Sequence, residues 1–476
     1  MSLASKVSGD ILVTTLFKLS LKVRGLVLIP LLTVALGVGD YGAYVQVNAI
    51  ATVLSLVCLL GLDAGYVKYI HETGRPAGLF TAVTLLGGGV AALGGGALAL
   101  AADPLARYTL QSASYAPLFV LGGGYVLVHT LFTLGRSHYR ATRRVKRFSA
   151  IEAVDVYLSV GAVAAVVFVV EGTIVGVLLA TLSVHACLTL LTYGAIAVEG
   201  GLAWPSTDQL HECVRFSLGA MGSTVSSSLL HRVDRVLVGY FLGASAVGVY
   251  SVAYSVAYLM RLYFLPVTTS FFPEFSKLWA EGDHATIRRF LNSGVRYAAT
   301  FGLPSIAGFA LVGSDLIGLL STPAVAREGA LALVLVAAGL FCMGLGEFYT
   351  NLFYAAGDSR VPLVVQGGTV LANVLLNWWA IPALGVAGAA ATTLVTFGAS
   401  VLVLGVAFQS HLRVVPDWSR LGRVVVATLA MYAAFAVVSP PWLVTLAAAP
   451  VGYFAVLFAV GGVERTDVRV VVDAVR

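Results

Sequence analysis

Residues 36–44 read LGVGDYGAY and residues 242–250 read LGASAVGVY, so Leu-Gly, four residues, Gly, one residue and Tyr recur 206 positions apart. Each stretch joins one long apolar segment to the next. Glycine supplies the backbone freedom that a tight corner between two helices needs, and tyrosine is frequent at the boundary between water and lipid. A corner repeated at this spacing predicts two copies of a six-helix unit, an arrangement that places the binding site of many transporters between the repeats.

The composition is that of a polytopic membrane protein. Of the 476 residues, 59% are hydrophobic and only 11% are charged, which is far from the balance of a soluble domain. The predicted fold class is all-α, with about fourteen transmembrane helices, because each apolar stretch can cross ~30 Å of hydrocarbon. The predicted spans are residues 10–37, 42–67, 77–101, 115–135, 149–170, 173–198, 213–241, 246–270, 296–320, 329–354, 361–381, 386–408, 421–438 and 442–461.

These spans group into three segments. We expect residues 1–199 and residues 200–410 to form two pseudo-symmetric six-helix bundles, and residues 411–476 to add two helices and a cytoplasmic tail. The glycine runs at 87–89, 94–96 and 122–124 lie within spans, where small residues let helices approach closely. They are therefore predicted to be helix contacts and not phosphate loops.

The basic residues predict the orientation in the membrane. One set of alternate loops, together with both termini, carries nearly all of the lysines and arginines outside the spans, six of them between residues 136 and 147. The other set carries only Arg107 and Arg327. By the positive-inside rule, both termini are cytoplasmic in a multi-pass protein of the cell membrane. Because membrane topology accounts for the net charge of +6, no nucleic-acid partner is expected.

The connections between spans bear on catalysis. The predicted outer connections are mostly short and leave no room for a catalytic domain, so the protein is not expected to be an enzyme. The four cysteines are far apart without metal-ligand spacing, and neither a metal site nor a cofactor is expected. The longest cytoplasmic connection, residues 273–296, mixes aromatic and basic residues and predicts a helix lying on the membrane surface.

Some charges fall inside the predicted spans, where each costs roughly 3 kcal/mol or more and usually marks a pathway or a site. They are Lys18, Lys22, Arg24, Arg232, Arg235 and Arg261. In the seventh span, polar residues recur every three or four positions from Thr224 to Arg235 and so share one helix face. Such a face should look into a cavity and not at lipid.

The predicted site is a cationic pocket formed by the first, seventh and eighth helices. Guanidinium and ammonium groups suit phosphate oxygens, so we expect a substrate with a phosphate or pyrophosphate group. Asp234 can neutralise one arginine, which leaves open a structural pair of Asp234 with Arg232 or Arg235.

Other polar groups inside the spans have two interpretations each. The acids either pair with the basic residues or carry a coupling proton. The neutral groups either contact sugars or form hydrogen bonds between helices. The acids are Glu152, Asp155 and Glu347, and the neutral groups are His129, His185, Asn351, Asn373 and Asn377.

Several motifs carry a family resemblance. They are DRVLVG at 234–239, LG at 242–243, GVY at 248–250, PEFSKL at 273–278, the asparagines at 373 and 377, and IPALGVAGAA at 381–390. In their order and spacing, the sequence resembles the polysaccharide-transporter (Wzx-type) flippases of the multidrug/oligosaccharidyl-lipid/polysaccharide exporter superfamily. The resemblance covers spans one to twelve and is most specific between residues 211 and 395.

The resemblance implies two bundles in a V around a central cavity, with rocker-switch alternating access. The implied substrate is a dolichyl- or polyprenyl-linked oligosaccharide, moved from the cytoplasmic to the outer leaflet for cell-surface glycans or for N-glycosylation of archaeal S-layer proteins. Glycosyltransferases or an oligosaccharyltransferase of the same pathway are the implied partners. Related flippases use the two extra helices as a lipid groove. Positions that match the cavity bases of the family are Lys22, Arg24, Arg232 and Arg261.

Two alternatives remain. A cation-coupled multidrug exporter of the same superfamily would need acids within the N-terminal spans, and surplus arginines oppose it. A membrane glycosyltransferase or polymerase would need a catalytic acid outside the membrane, and the short outer loops oppose that.

Overall fold

A computed structural model describes residue 25 and residues 27–170, 172–413 and 417–462, without the side chains of residues 220, 223 and 265–271. This part of the chain is helical and contains no β-strand, which confirms the predicted all-α fold class. Lys18, Lys22 and Arg24 lie outside the described residues.

Helix α1 covers residues 27–35. The later helices are α2 (Val38–Cys58), α3 (Leu62–Tyr69), α4 (Pro76–Leu100), α5 (Ala102–Leu110), α6 (Ala116–Ala141), α7 (Val145–Phe168), α8 (Ile174–Val198), α9 (Leu210–Leu230), α10 (Val233–Leu242), α11 (Ala244–Ala257), α12 (Arg261–Ala280), α13 (His284–Leu320), α14 (Pro323–Ala355), α15 (Arg360–Leu384), α16 (Val386–Phe408), α17 (Trp418–Val438) and α18 (Trp442–Ala459).

Eleven helical segments among the described residues are long and apolar enough to cross a membrane. They correspond to the predicted spans two to six and nine to fourteen, with α2 and α3 together forming the second. Most of the first predicted span lies outside the described residues, and the seventh and eighth are each interrupted. The protein is therefore a multi-pass membrane protein.

The first compact unit comprises residues 1–251, and α6 lies at its centre. Helix α6 packs against α2, α4 and α8, while α7 packs against α8. A Cβ atom at Gly95 or Gly123 would overlap the backbone carbonyl of the other residue, so only glycine allows α4 and α6 to approach this closely. At these two positions the glycine runs are helix contacts, as predicted.

Both repeated stretches turn the chain at a glycine in the left-handed region. Gly37 has a φ of 97° and Gly243 a φ of 82°, which L side chains rarely adopt. Helices α2 and α11 begin directly after these glycines. The repeated glycine therefore serves the same backbone purpose at both corners.

The two corners contact each other within the first unit. A Cβ atom on Gly42 would overlap the carbonyl of Ala244, and one on Gly248 would overlap the carbonyl of Val38. By the repeat, Gly248 is equivalent to Gly42, and Ala244 is equivalent to Val38. The contact is thus reciprocal, with the same positions of the two repeats meeting as in a pseudo-two-fold arrangement.

The first unit extends beyond the boundary predicted at residue 199. Helix α9 packs on α3, and α10 packs on α5. Gly61 and Gly65 at α3 accommodate Ser217 and Cys213 of α9, because a Cβ on either glycine would overlap α9. The predicted boundary rests on the sequence repeat and stays a prediction.

The second compact unit comprises residues 252–476, with α14 at its centre. Helix α14 packs against α12, α13 and α16, and α15 packs against α16. The predicted extra helices are present as α17 and α18. They pack against α13 through an apolar cluster that includes Ala299, Val424, Met431, Ala449 and Tyr453.

The surface helix predicted at 273–296 is wrong. Residues 273–280 continue α12, and α13 begins at His284. Phe275, Ile287 and Leu291 are buried in a cluster with Phe353 and Phe408, so their apolar face covers protein and not lipid head groups. The amphipathic pattern arises from the ends of two long helices packed on α14 and α16.

Candidate functional site

The seventh span is broken between its two helices. Helix α9 ends at Leu230 and α10 begins at Val233, with His231 and Arg232 between them. The first amide groups of α10 have no acceptor within their own helix, and such a terminus attracts negative charge. Arg232 occupies the N-cap position of α10 and adds a full positive charge there.

A cavity of about 460 Å³ lies beside this break. Arg232 Nη1 donates a hydrogen bond to Ser228 Oγ over 2.7 Å. Hydroxyl, imidazole and guanidinium groups all donate hydrogen bonds, so the cavity suits an anionic group with several oxygens. Its lining residues are Leu56, Thr224, Ser227, Ser228, His231 and Arg232.

Asp234 and Arg235 follow on the first turn of α10. Asp234 is 3% exposed and accepts a hydrogen bond from the Tyr250 hydroxyl over 2.9 Å. Tyr250 is the last residue of the second repeated stretch, so this bond ties the start of α10 to α11. Arg235 is partly buried.

Gln46, which is not among the predicted site residues, contacts α10 through its side-chain amide. Its side chain is fully buried, and its amide donates hydrogen bonds to the carbonyls of Val236 at 3.3 Å and Thr109 at 3.5 Å. Gln111 likewise donates to the carbonyl of Tyr240 at 3.3 Å. The signal available in the sequence was a pair of amide residues, Gln46 and Asn48, one to two turns after Gly42 in a largely apolar stretch.

Arg261, in the second unit, has a different environment. It begins α12 directly after a 3-10 turn at Tyr258–Met260, which interrupts the eighth span. Its guanidinium forms an ion pair with Glu347 of α14, and the two side chains are 23% and 33% exposed. Glu347 was predicted either to pair with a basic residue or to carry a coupling proton, and the structure shows the ion pair.

Asn373 and Asn377 join α15 to α16. Both are buried, Asn377 donates to the Asn373 side-chain oxygen at 2.9 Å, and Asn373 donates to Thr396 Oγ1 at 3.4 Å. Contact between these amides and a sugar would require α15 and α16 to separate.

His129 and Asp155 lie inside the first unit. His129 Nδ1 is 3.1 Å from Ser55 Oγ, and its ring stacks on Tyr125. Asp155 is buried beside His185, with 3.3 Å between Oδ1 and Nε2. Neither His129 nor Asp155 lines the cavity at Arg232.

A second, largely apolar cavity of about 440 Å³ lies in the second unit. It is enclosed by α13 and the extra helices, and includes Phe301, Phe309, Tyr453 and Phe454. The family resemblance places a lipid groove at the extra helices, and the apolar lining fits that expectation.

Comparisons with known proteins connect this architecture to transport. A family model described as "Polysaccharide biosynthesis protein" matches residues 31–323. The chain is 26% identical over 412 residues to the probable flippase AglR of Haloferax volcanii, covering 83% of this chain and 82% of the relative.

Two solved structures show the same fold. The lipid II flippase MurJ, in an inward closed conformation, superposes with a TM-score of 0.81 at 13% identity, covering 96% of this chain and 99% of MurJ. An inward-facing multidrug resistance MATE family transporter of the MOP superfamily superposes with a TM-score of 0.67 at 14% identity, covering 82% and 94%. Because the family model spans more than half of the sequence, the chain belongs to the polysaccharide biosynthesis protein family, within the Wzx-type flippases that its motifs resemble.

Proposed function

We propose that this protein is a flippase that moves a lipid-linked oligosaccharide from the cytoplasmic to the outer leaflet by alternating access. The lipid would be dolichyl or polyprenyl phosphate or pyrophosphate, and the glycan would serve the cell surface or S-layer glycosylation. No covalent bond changes in such a step, so the protein is not an enzyme. The relative AglR, itself a probable flippase, supports movement of a lipid-linked substrate.

The observation that carries this proposal is the cavity at the broken seventh span. It lies at membrane depth in the predicted topology, and the guanidinium of Arg232 lines it together with the Ser227 and Ser228 hydroxyls and the His231 imidazole. An arginine in hydrocarbon is costly unless it has a polar role. A phosphate group satisfies several of these donors at once, whereas a cationic drug would be repelled by the arginine.

The two ends of the substrate need different surroundings. The head group requires donors such as those at Arg232, and the lipid requires an apolar surface. The cavity beside α17 and α18 offers such a surface, with Phe301 and Phe454 among its walls. Each of these features, within its own unit, fits a substrate that carries both a phosphate group and a lipid.

The corner contacts support alternating access. Gly42 and Gly248 lie against the opposite repeat, and Gln46 bonds to Val236 across the same boundary. By the predicted topology these contacts lie at the outer face, where helices of the two repeats would separate in a rocker-switch cycle. We place the protein in the cell membrane with both termini cytoplasmic, alongside glycosyltransferases or an oligosaccharyltransferase of its pathway.

The test is transbilayer movement of a labelled lipid-linked oligosaccharide in vesicles that contain the purified protein. We expect movement with the parent protein and none in protein-free vesicles. A variant with Arg232→Ala and Lys22→Ala should lose movement, while Arg107→Ala should retain it, because Arg107 is an exposed residue paired with Asp103. No movement with the parent across several carriers would overturn the proposal, and export of a cationic dye by the same vesicles would favour the exporter.

A further inference from the structure

The corner between α6 and α7 contains an arginine in a backbone conformation that favours glycine. Arg143 has a φ of 59°, in the left-handed region that L side chains rarely adopt. The backbone amide of Arg143 donates to the carbonyl of Arg140 at 3.2 Å. The amide of Arg144 donates to the carbonyl of Tyr139 at 2.8 Å. Together these two hydrogen bonds form a Schellman C-cap, in which glycine usually occupies the left-handed position.

The same chain shows how this type of corner is built elsewhere. Four other helices in the described part of the chain end with the same pair of hydrogen bonds, and each has glycine at the left-handed position. The helices are α8, α12, α14 and α18, and the glycines are Gly200, Gly282, Gly357 and Gly461. Arg143 is the exception among these five corners. Because an arginine is less stable than a glycine in this conformation, we expect its side chain to have a role outside the fold.

Lys146, in the first turn of α7, lies on the side of this helix that faces lipid. Ala150, Val154 and Leu158 follow it at intervals of four residues and are exposed as well, Val154 to 43% and Leu158 to 50%. Residues four positions apart share one helix face, and α7 is long and apolar enough to cross a membrane. Lys146 therefore lies one turn beyond an apolar, lipid-facing stripe, at the level of the lipid head groups.

The corner also carries more positive than negative charge. Three of its arginines share two carboxylates, in the ion pairs Arg140–Asp63, Arg144–Glu199 and Arg147–Glu199. Arg143 and Lys146 are both exposed, and neither forms an ion pair with another residue that the structure describes. The surplus positive charge therefore belongs to two side chains that lie three residues apart at the start of α7.

We propose that Arg143 and Lys146 bind the phosphate group of an anionic phospholipid in the cytoplasmic leaflet. A guanidinium can hold two phosphate oxygens at once, and an ammonium group adds a compact positive charge. In the predicted topology this corner is cytoplasmic, where basic residues attract anionic lipids. The lipid-facing position of Lys146 favours a membrane lipid over a soluble acidic protein. Neither residue lines the cavity at Arg232, and the proposal does not depend on the flippase function.

The first experiment measures binding of phosphatidylglycerol to the detergent-purified protein by native mass spectrometry, with zwitterionic phosphatidylcholine for comparison. The parent protein should bind phosphatidylglycerol more tightly than phosphatidylcholine. Arg143→Gly should weaken phosphatidylglycerol binding about fivefold, and Arg143→Gly with Lys146→Ala about twentyfold. The control variant Arg288→Ala, Arg360→Ala removes two exposed basic residues of the second unit, which the topology also places on the cytoplasmic side. Its affinity should stay within about twofold of the parent value.

The second experiment separates lipid binding from folding. Without lipid, Arg143→Gly should be at least as stable to heat as the parent protein, because glycine relieves the left-handed backbone. Phosphatidylglycerol should raise the melting temperature of the parent protein more than that of Arg143→Gly. Thermal unfolding of both proteins with and without the lipid measures the two effects.

Four results would overturn the proposal. The parent and the double variant could bind phosphatidylglycerol equally well, or the control variant could lose as much affinity as the double variant, which would indicate a general attraction of charge. Lower stability of lipid-free Arg143→Gly would give Arg143 a role within the fold. Competition by inorganic phosphate at the concentration of the lipid would indicate a site for a soluble anion.

Discussion

Arg232 and Arg261 were predicted to share one role, yet their surroundings differ. Arg232 lies at a helix break, donates to a serine hydroxyl and lines an open cavity. Arg261 also follows a break, but its guanidinium is paired with the carboxylate of Glu347. A guanidinium that already faces a carboxylate has less to offer a phosphate, since the bound anion must compete with that carboxylate. We propose that Arg232 contacts the transported head group and that Arg261 packs α12 on α14 through Glu347.

Arg144 and Arg147 provide a third kind of surroundings for an arginine, an ion pair close to the protein surface. Both pair with Glu199 at the end of α8, and the two arginine side chains are 46% and 56% exposed. Exposed pairs contribute little because water competes for both partners. The same residue type therefore has three different surroundings in one chain: a cavity, a partly buried ion pair and a more exposed ion pair.

The largest effect on the flipping rate is expected from a substitution at Gly42, where the two repeated corners meet. Gly42→Val places a side chain against the backbone of Ala244, so the two repeats must move apart. We expect flipping to fall below detection, because α11 can no longer pack on α2. Gly161→Val is the matched control, since nothing lies within 4 Å of a Cβ there. Normal flipping by Gly42→Val would show that the corner contact is dispensable.

The next effect concerns Arg232 itself. Arg232→Ala should weaken binding of a lipid pyrophosphate about ten- to a hundredfold, which corresponds to a charge-assisted hydrogen bond of about 1.5–3 kcal/mol. Arg232→Lys keeps the charge but loses the forked geometry of the guanidinium. Its affinity for the lipid should therefore lie between those of the parent protein and Arg232→Ala. Binding is measured by quenching of intrinsic fluorescence on titration with the lipid. Equal affinities of all three proteins would remove Arg232 from the site.

A smaller effect is expected at the Arg261 pair, and on stability more than on transport. Arg261→Ala leaves the Glu347 carboxylate partly buried without its guanidinium and should cost roughly 1–2 kcal/mol. Adding Glu347→Ala should recover part of that loss. Thermal unfolding of the parent, both single variants and the double variant measures the coupling. Additive losses would contradict a structural pair.

The smallest effect lies at the exposed pair, and it depends on pH. The hydrogen bond from Arg147 lowers the pKa of Glu199 below its ordinary value. A lowered folded pKa means that the added stability is present above the unfolded pKa of about 4.3 and is lost as pH falls through the folded pKa. Glu199→Gln should therefore lower the melting temperature slightly at pH 7 and by less at pH 3. An equal effect at both pH values would contradict this assignment.

Much of the fold could be predicted from the sequence. The length of each apolar segment, the charge of each loop and the positions of the glycines can all be read from short stretches of the chain. The corners at Gly37 and Gly243 and the extra helices were predicted in this way. The break at His231 and Arg232 was not, because the sequence there contains neither proline nor glycine. The Arg261–Glu347 pair joins residues 86 positions apart, and only packing brings them together. The apolar face of 273–296 was assigned to lipid because a sequence does not show whether protein or lipid covers it.

The most direct test of the account compares flipping rates of three variants in one vesicle preparation. The variants are Arg232→Ala, the double variant Arg261→Ala, Glu347→Ala, and Arg107→Ala as the exposed control. We predict that only Arg232→Ala reduces the rate by tenfold or more, while the other two stay within about threefold of the parent protein. A loss in the double variant equal to that in Arg232→Ala would contradict the account, because it would show that the Arg261–Glu347 pair also serves the transported head group.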